Sequence, residues 1–156
     1  MSSKKNTAAL KSTVPEPRTG GLLRLAWQRV RECIYAGVQS EGYDDLNRAH
    51  VALFRFEGLD GKRPTQLSEQ MQITKQSIHD LLRHLEECGY VEIRPDQSDK
   101  RARLICLTAR GRRLETSVQK YARAAEREFE QQLGPETFRV FRASLKIITG
   151  SMNQQG

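Results

Sequence analysis

Four cations stand close together in the run R-P-D-Q-S-D-K-R-A-R-L-I-C-L-T-A-R-G, which extends from Arg94 to Gly111: Arg94, Lys100, Arg101 and Arg103. Against Asp96 and Asp99 they leave a local net charge of +2. Cations gathered on a short turn bind polyanions, and the narrow minor groove of DNA, where negative potential is concentrated, attracts an inserted Arg. Asp99 lies two residues before Arg101, close enough in sequence to hold its guanidinium in one orientation. A second set of polar side chains precedes this run. Lys75, Gln76, Ser77, His79 and Arg83 fall at the start of a helix and within its next turn. Gln bonds adenine through two atoms, Ser donates or accepts, and Lys or Arg favours guanine. The same helix carries Asp80, Glu86 and Glu87. It is therefore suited to reading base edges, while the cationic run supplies the electrostatic grip.

These side chains need a scaffold, and the local pattern specifies one. Thr65 is an expected N-cap for a brief helix through Met71. Gln72 and Ile73 make a turn, and Thr74 caps the next helix, whose Ile78, Leu81, Leu82 and Leu85 point inward. Gly89 terminates it. Val91-Glu92-Ile93 alternates like a half-buried strand, with Leu104 to Leu107 as its partner. Two short helices followed by a basic hairpin predict a winged helix-turn-helix over about 45–107. Cys106, on the second strand, is expected to alternate inward.

Longer helices flank that unit. Leu22 to Val38 repeats apolar residues at three- and four-residue steps: Leu23, Ala26, Trp27, Val30, Cys33, Ile34 and Val38. A helix from about Asp45 to Glu57, capped by Asp44 or Asp45, follows. From Thr108 a long helix reaches about Leu133, roughly 39 Å at ~1.5 Å per residue. Pro135 opens a last helix with Phe138, Phe141, Leu145, Ile148 and Met152 along one seam. This apolar surface exceeds what the central unit can cover, so a homodimer is expected. The fold class is mainly α with a small β-hairpin wing (α+β): a winged helix-turn-helix with N- and C-terminal dimerisation helices at about 21–40 and 108–153. Residues 1–20 read as a disordered basic arm, and 21–156 as a single domain.

Composition narrows the function class. The chain has 156 residues, 29% of them charged, and a formal net charge of +7, a balance that favours polyanionic partners. It has no apolar run of the roughly 18 residues that a membrane span requires and begins without an apolar signal stretch. A cytoplasmic location and no membrane partner are expected. Three separated cysteines, Cys33, Cys88 and Cys106, are not a disulfide framework. His84 and Cys88 share a helix face but lack further ligands, so no metal is expected. No nucleophile elbow, phosphate-binding glycine loop or HExxH helix is present, and neither an enzyme nor a cofactor is expected.

The succession Leu67-Ser68-Glu69, Ile73-Thr74-Lys75-Gln76-Ser77-Ile78, Leu85-Glu86-Glu87-Cys88-Gly89-Tyr90-Val91, Asp96-Gln97-Ser98-Asp99-Lys100-Arg101-Ala102 and Leu107-Thr108-Ala109-Arg110-Gly111 resembles the MarR family of regulators. Its most specific parts are D-x-R-A and the following L-T-x-x-G. The resemblance implies a homodimeric winged helix-turn-helix regulator, most simply a repressor, that binds a pseudo-palindromic double-stranded DNA operator. It also implies that Asp99 and Arg101 are the pair of the wing that reaches the minor groove. His79-Asp80 departs from the Thr/Ser-Arg pair frequent in such recognition helices. The resemblance further implies release by a small aromatic or lipophilic acid, for which Trp27, Arg31, Tyr35, His50 and Phe54 are the candidate lining. Two other readings use the same fold: a winged-helix module that binds protein, and a redox or metal switch acting through Cys33 or through His84 and Cys88.

Overall fold

The computed structural model describes residues 16–56 and 58–150. The elements run α1 (Thr19–Ser40), α2 (Arg48–Leu53), α3 (Pro64–Met71), α4 (Lys75–Glu87), β1 (Val91–Pro95), β2 (Arg103–Leu107), α5 (Ala109–Leu133) and α6 (Pro135–Gly150). This is the mainly helical architecture with one antiparallel hairpin that the pattern predicts. Most of the expected basic arm, 1–15, lies outside the described residues, as does Met152. Thr19 and Gly20, assigned to that arm, instead form the first turn of α1.

Caps account for the shifted boundaries. Helix α2 starts later than expected because Asn47, not Asp44 or Asp45, caps it, and it ends earlier, at Leu53. The Asn47 side chain accepts from the amides of Ala49 at 2.9 Å and His50 at 3.1 Å. The Asn47 amide in turn donates to His50 Nδ1 at 3.2 Å, so two end groups are satisfied reciprocally. Helix α3 starts one residue before Thr65, with Pro64 in its first turn. There the missing N–H of proline costs nothing. The turn after α3 places Gln72 in the left-handed region (φ 53°). This lets the Ile73 amide reach Ser68 O and the Gln72 amide reach Glu69 O, both at 3.2 Å, closing the open carbonyls of the helix end. Thr74 caps α4 as expected, accepting from the Ser77 amide at 3.1 Å.

The hairpin register, Val91↔Leu107, Ile93↔Ile105 and Glu92↔Cys106, decides which face is inside. Val91, Ile105 and Leu107 are buried. With a period of two, Cys106 must then lie on the opposite face, across from Glu92. The expectation that Cys106 points inward is therefore corrected. Ile105 also exchanges backbone bonds with a segment before α3, accepting from Gly61 N at 2.7 Å and donating to Lys62 O at 2.9 Å. The wing is thus fastened along both edges of β2.

The core gathers Ile34 and Val38 of α1, Leu53 and Phe54 around the end of α2, Leu67 of α3, Ile78 and Leu85 of α4, and Leu114 and Val118 of α5 around Tyr90, Val91 and Ile105. Helices α1 and α5 approach closely at Gly37, where a Cβ would lie 2.1 Å from the Tyr121 ring. Beyond that contact Glu41, the C-cap of α1, accepts from Ser117 Oγ at 2.5 Å, Lys120 Nζ at 2.7 Å and Tyr121 OH at 2.9 Å. The Lys120 ammonium first, then the two hydroxyls, lower the Glu41 carboxyl to about 2.

The L-T-x-x-G run has a steric explanation. Thr108 caps α5 and accepts from the Gly111 amide at 3.1 Å, while its hydroxyl donates to Gly89 O at 2.6 Å. A Cβ on Gly111 would lie 2.1 Å from the carbonyl oxygen of Tyr90. That oxygen is backbone and already bonded by the Thr108 amide at 3.1 Å, so it cannot retreat. Gly111→Ala should destabilise the protein by about 1–3 kcal/mol through overpacking, despite the better helix propensity of Ala. Thermal denaturation checks this: a melting temperature equal to or above that of the unchanged chain would show that the α5 start can move away from Tyr90.

Candidate nucleic-acid interface

The exposed face of α4 and the hairpin form one surface. A groove of about 500 Å³ is lined by Pro64, His79, Leu82, Arg83, Glu86, Ile93 and Arg103, so side chains of α4 and of both strands share its walls. A second hollow, of about 310 Å³, joins Pro64 and Thr65 to Lys75, Gln76 and His79. The buried side of α4, Ile78, Leu82 and Leu85, leaves Lys75, Gln76, Ser77, His79, Asp80 and Arg83 exposed. The structure thus brings Lys75, Gln76, His79, Arg83 and Arg103 together around one concave surface.

Their partners differ. Ser77 is tied to the cap, its Oγ 2.8 Å from Thr74 Oγ1. Gln76 Nε2 donates to Asp80 Oδ1 at 3.0 Å, and Arg83 donates to the same oxygen at 2.8 Å. Arg94 is bound on its own strand face by Glu92, at 2.5 Å and 2.9 Å. Among the described residues, Lys100, Arg101 and Arg103 form no ion pair. The three cations around the end of the hairpin are thus open to an external anion, whereas Arg94 is already compensated.

The turn of the wing is built by two carboxylates. Asp96, only 8% exposed, accepts from the Ser98 amide at 2.8 Å and hydroxyl at 2.6 Å through one oxygen, and from Arg63 at 2.7 Å through the other. The Ser98 hydroxyl first, then Arg63, bring the Asp96 carboxyl down to about 2. Asp99 does not orient the Arg101 guanidinium as expected. It accepts from the Arg101 backbone amide at 3.1 Å, and its other oxygen lies 3.7 Å from Arg63. The D-x-R spacing places the carboxylate nearest the amide two residues on, an Asx-type turn. Asp99 therefore shapes the backbone that presents Arg101 and leaves its side chain uncommitted.

Arg63 is the residue that the sequence reading missed. It sits before α3, far along the chain from the wing, and nothing in its neighbours marks it. Only the fold brings it to Asp96 and Asp99.

The candidate effector lining does not assemble. Phe54 is core, 1% exposed, edge-on to Tyr90 with ring centroids 6.4 Å apart. His50 is buried in its capping role and stacks on His84 at 4.2 Å; burial, then the neighbouring His84, hold its pKa below the usual histidine value. Tyr35 lies beneath the Arg48 guanidinium at 4.4 Å. Only Trp27 and Arg31 share a hollow, of about 240 Å³, with Arg24, Gln28 and Glu32. Arg55, outside that lining, packs on Trp27: its guanidinium lies 4.9 Å over the ring, and its buried Nε lacks a hydrogen-bond partner among the described residues. Burial, then the charge of Arg31, lower the Arg55 pKa.

The switch candidates also have ordinary partners. Cys33 Sγ lies 3.7 Å from Tyr121 O, and burial pushes its thiol upward, away from the reactive thiolate. His84 Nε2 faces Asp45 O at 2.7 Å and Cys88 Sγ at 3.5 Å. Among the described residues no three His, Cys, Asp or Glu side chains are grouped to hold a metal, and no helix is long and apolar enough to cross a membrane.

Residues 44–102 match the MarR family. The HTH-type transcriptional regulator PetP of Rhodobacter capsulatus is 34% identical over 105 residues, 67% of this chain and 63% of PetP; the match thus spans less than two thirds of that relative. MarR itself superposes with a TM-score of 0.74 at 22% identity, over 89% of this chain and 93% of MarR. A variant from E. coli complexed with operator DNA gives 0.66 at 18%, over 83% and 91%. CouR from Rhodococcus jostii RHA1, bound to p-coumaroyl-CoA, gives 0.65 at 24%, over 83% and 90%.

Removing Arg63 should loosen the wing without unfolding the domain. In Arg63→Ala the amides of Ser98 and Ala102 should exchange hydrogen at least ~10-fold faster, while the core amides of α5 keep their protection. Unchanged exchange at the turn would show that Asp96 and Asp99 hold it unaided.

Proposed function

Since the chain belongs to the MarR family, we propose that it is a sequence-specific DNA-binding transcriptional regulator, a homodimeric repressor released from its operator by a small molecule. The observation that carries this reading is the shared surface of α4 and the wing, with Lys100, Arg101 and Arg103 uncompensated beside it. In this reading the start of α4 enters the major groove, where Gln76 and Arg83 meet base edges. Arg101 reaches the adjacent minor groove. Lys75, Lys100 and Arg103 contact phosphates. Ser77 and His79 are the remaining candidates on the helix face, and Arg94, held by Glu92, has the smallest part. In this reading the protein acts in the cytoplasm.

Dimerisation is supported by apolar surface that the chain leaves uncovered. Leu22, Leu23, Leu25 and Trp27 of α1 and Val140, Ile147 and Ile148 of α6 are all exposed. A cleft of about 440 Å³ between α1, α5 and α6, lined by Leu23, Val30, Phe129, Phe141 and Leu145 among others, continues that surface. A second copy covering it would set two α4 helices about one helical turn of DNA apart, ~10 base pairs.

The full-length protein should sediment as a dimer and bind its own upstream DNA with an affinity that falls steeply as salt rises. Arg101→Ala should weaken binding by roughly ten-fold or more, and Gln76→Ala should broaden the range of sequences bound. Fluorescence anisotropy and sedimentation velocity test this. Failure to bind either that DNA or a genomic fragment pool at low salt would overturn the reading.

The effector reading now rests on Trp27 and Arg31, the two candidates that line the hollow. The Arg31 guanidinium beside the Trp27 ring is suited to a carboxylate on a planar body. Trp27 is the one tryptophan of the chain, so its emission reports the hollow directly. Benzoate should quench it saturably and benzyl alcohol should not, and Arg31→Ala should abolish the difference. Identical responses to the two probes in the unchanged protein would remove this site.

A further inference from the structure

The geometry points to Asp80 as a specificity-determining residue of α4, one that accepts the exocyclic amine of cytosine and aims two neighbouring side chains; this rests on the DNA-binding reading above. Gln76, Asp80 and Arg83 follow one another at four- and three-residue steps, so they form one stripe along the exposed side of the helix. Asp80 is its middle member. Gln76 Nε2 at 3.0 Å and Arg83 at 2.8 Å both donate to the same oxygen, Oδ1. Among the described residues Oδ2 has no partner.

Each half of that arrangement has a consequence for base reading. A carboxylate in the centre of a surface presented to phosphates is repelled by them, so it adds nothing to the grip. It is rewarded only where a base offers a donor. In the major groove cytosine presents an amine with no acceptor on the same base, whereas guanine presents two acceptors. Asp80 Oδ2 therefore favours cytosine and opposes guanine at the position it faces. The bonds to Oδ1 act on the neighbours. With one amide hydrogen held by Asp80, Gln76 is fixed in a single amide orientation, keeping its other N–H and its carbonyl oxygen for a base. Arg83, held through one terminal nitrogen, keeps Nε and its second terminal nitrogen for an acceptor edge. A merely structural role, a helix-surface ion pair, would need only Arg83 and would leave sequence preference untouched.

Selection of bound sequences from a randomised double-stranded DNA pool, using the full chain, separates these roles. The unchanged protein should select cytosine at one position in each half-site. Asp80→Asn, which offers a donor as well as an acceptor, should reduce that selection by roughly ten-fold. Asp80→Ala should abolish it and also weaken selection at the positions read by Gln76 and Arg83, while binding to unselected DNA rises because a negative charge is gone. Alanine is well tolerated at an exposed helix position, and matched melting curves confirm that each variant is folded. If the unchanged protein selects a sequence and both variants select the same one, Asp80 is a helix-surface pair and the inference is overturned. If the unchanged protein selects nothing, the DNA-binding reading and this inference fall together.

Discussion

Tyr90 is the joint on which the structure depends. It is fully buried, at the point where α4 has ended and the wing begins. Its hydroxyl donates to Asp45 Oδ1 at 2.7 Å, its ring lies 4.2 Å beneath the Arg110 guanidinium, and its carbonyl receives the Thr108 amide. Arg110 closes the circuit, donating to Asp45 at 2.9 Å and to Cys88 O at 2.6 Å. Burial, reinforced by the Asp45 carboxylate, pushes the phenol upward, so it stays a donor at every physiological pH. Few other side chains combine a core-filling ring with a donor that reaches a half-buried carboxylate.

The consequence is mechanical. The segment before α2, the end of α4, the base of the wing and the start of α5 all meet at this residue. Thr108, Arg110 and Gly111 at the start of α5 therefore bear directly on the carbonyls of Gly89, Cys88 and Tyr90, between the end of α4 and β1. The opposite end of the wing is held separately, by Arg63 on Asp96 and Asp99. The hairpin is thus anchored at its base to the long helix and near its tip to the start of α3, while among the described residues Lys100, Arg101 and Arg103 make no ion pair. That division suits a surface whose backbone must be fixed while a few cations meet a partner.

The same logic explains the reorganised charge of the interface. An exposed ion pair contributes little to stability, yet it decides which cations are available. Glu92 occupies Arg94, and Asp80 occupies part of Arg83, whereas Lys100, Arg101 and Arg103 form no ion pair among the described residues. The formal tally of four cations on the hairpin therefore overstates its positive surface. The acidic residues do not dilute the charge evenly; they decide which cations are already paired.

The sequence by itself determined the helices, the hairpin and the order of the parts, because these follow from local rules: apolar periodicity for α1, α4 and α5, a hydroxyl cap at Thr74, and alternation in β1 and β2. It also placed the exposed face of α4, since burying Ile78, Leu82 and Leu85 leaves Gln76, Asp80 and Arg83 outside. What only the tertiary structure decided are pairings between distant segments and the choice among neighbouring caps. Arg63 with Asp96, Arg55 with Trp27, the burial of Phe54 and His50, and the preference for Asn47 over Asp45 all depend on which surfaces meet. Asp45 is drawn away by Tyr90 and Arg110, and Cys106 turns outward because Ile105 and Leu107 pack inward. The hairpin of four cations shows the boundary most plainly: its turn and charge are local properties of the chain, but which cations stay free is settled by carboxylates and a guanidinium that the fold brings to it.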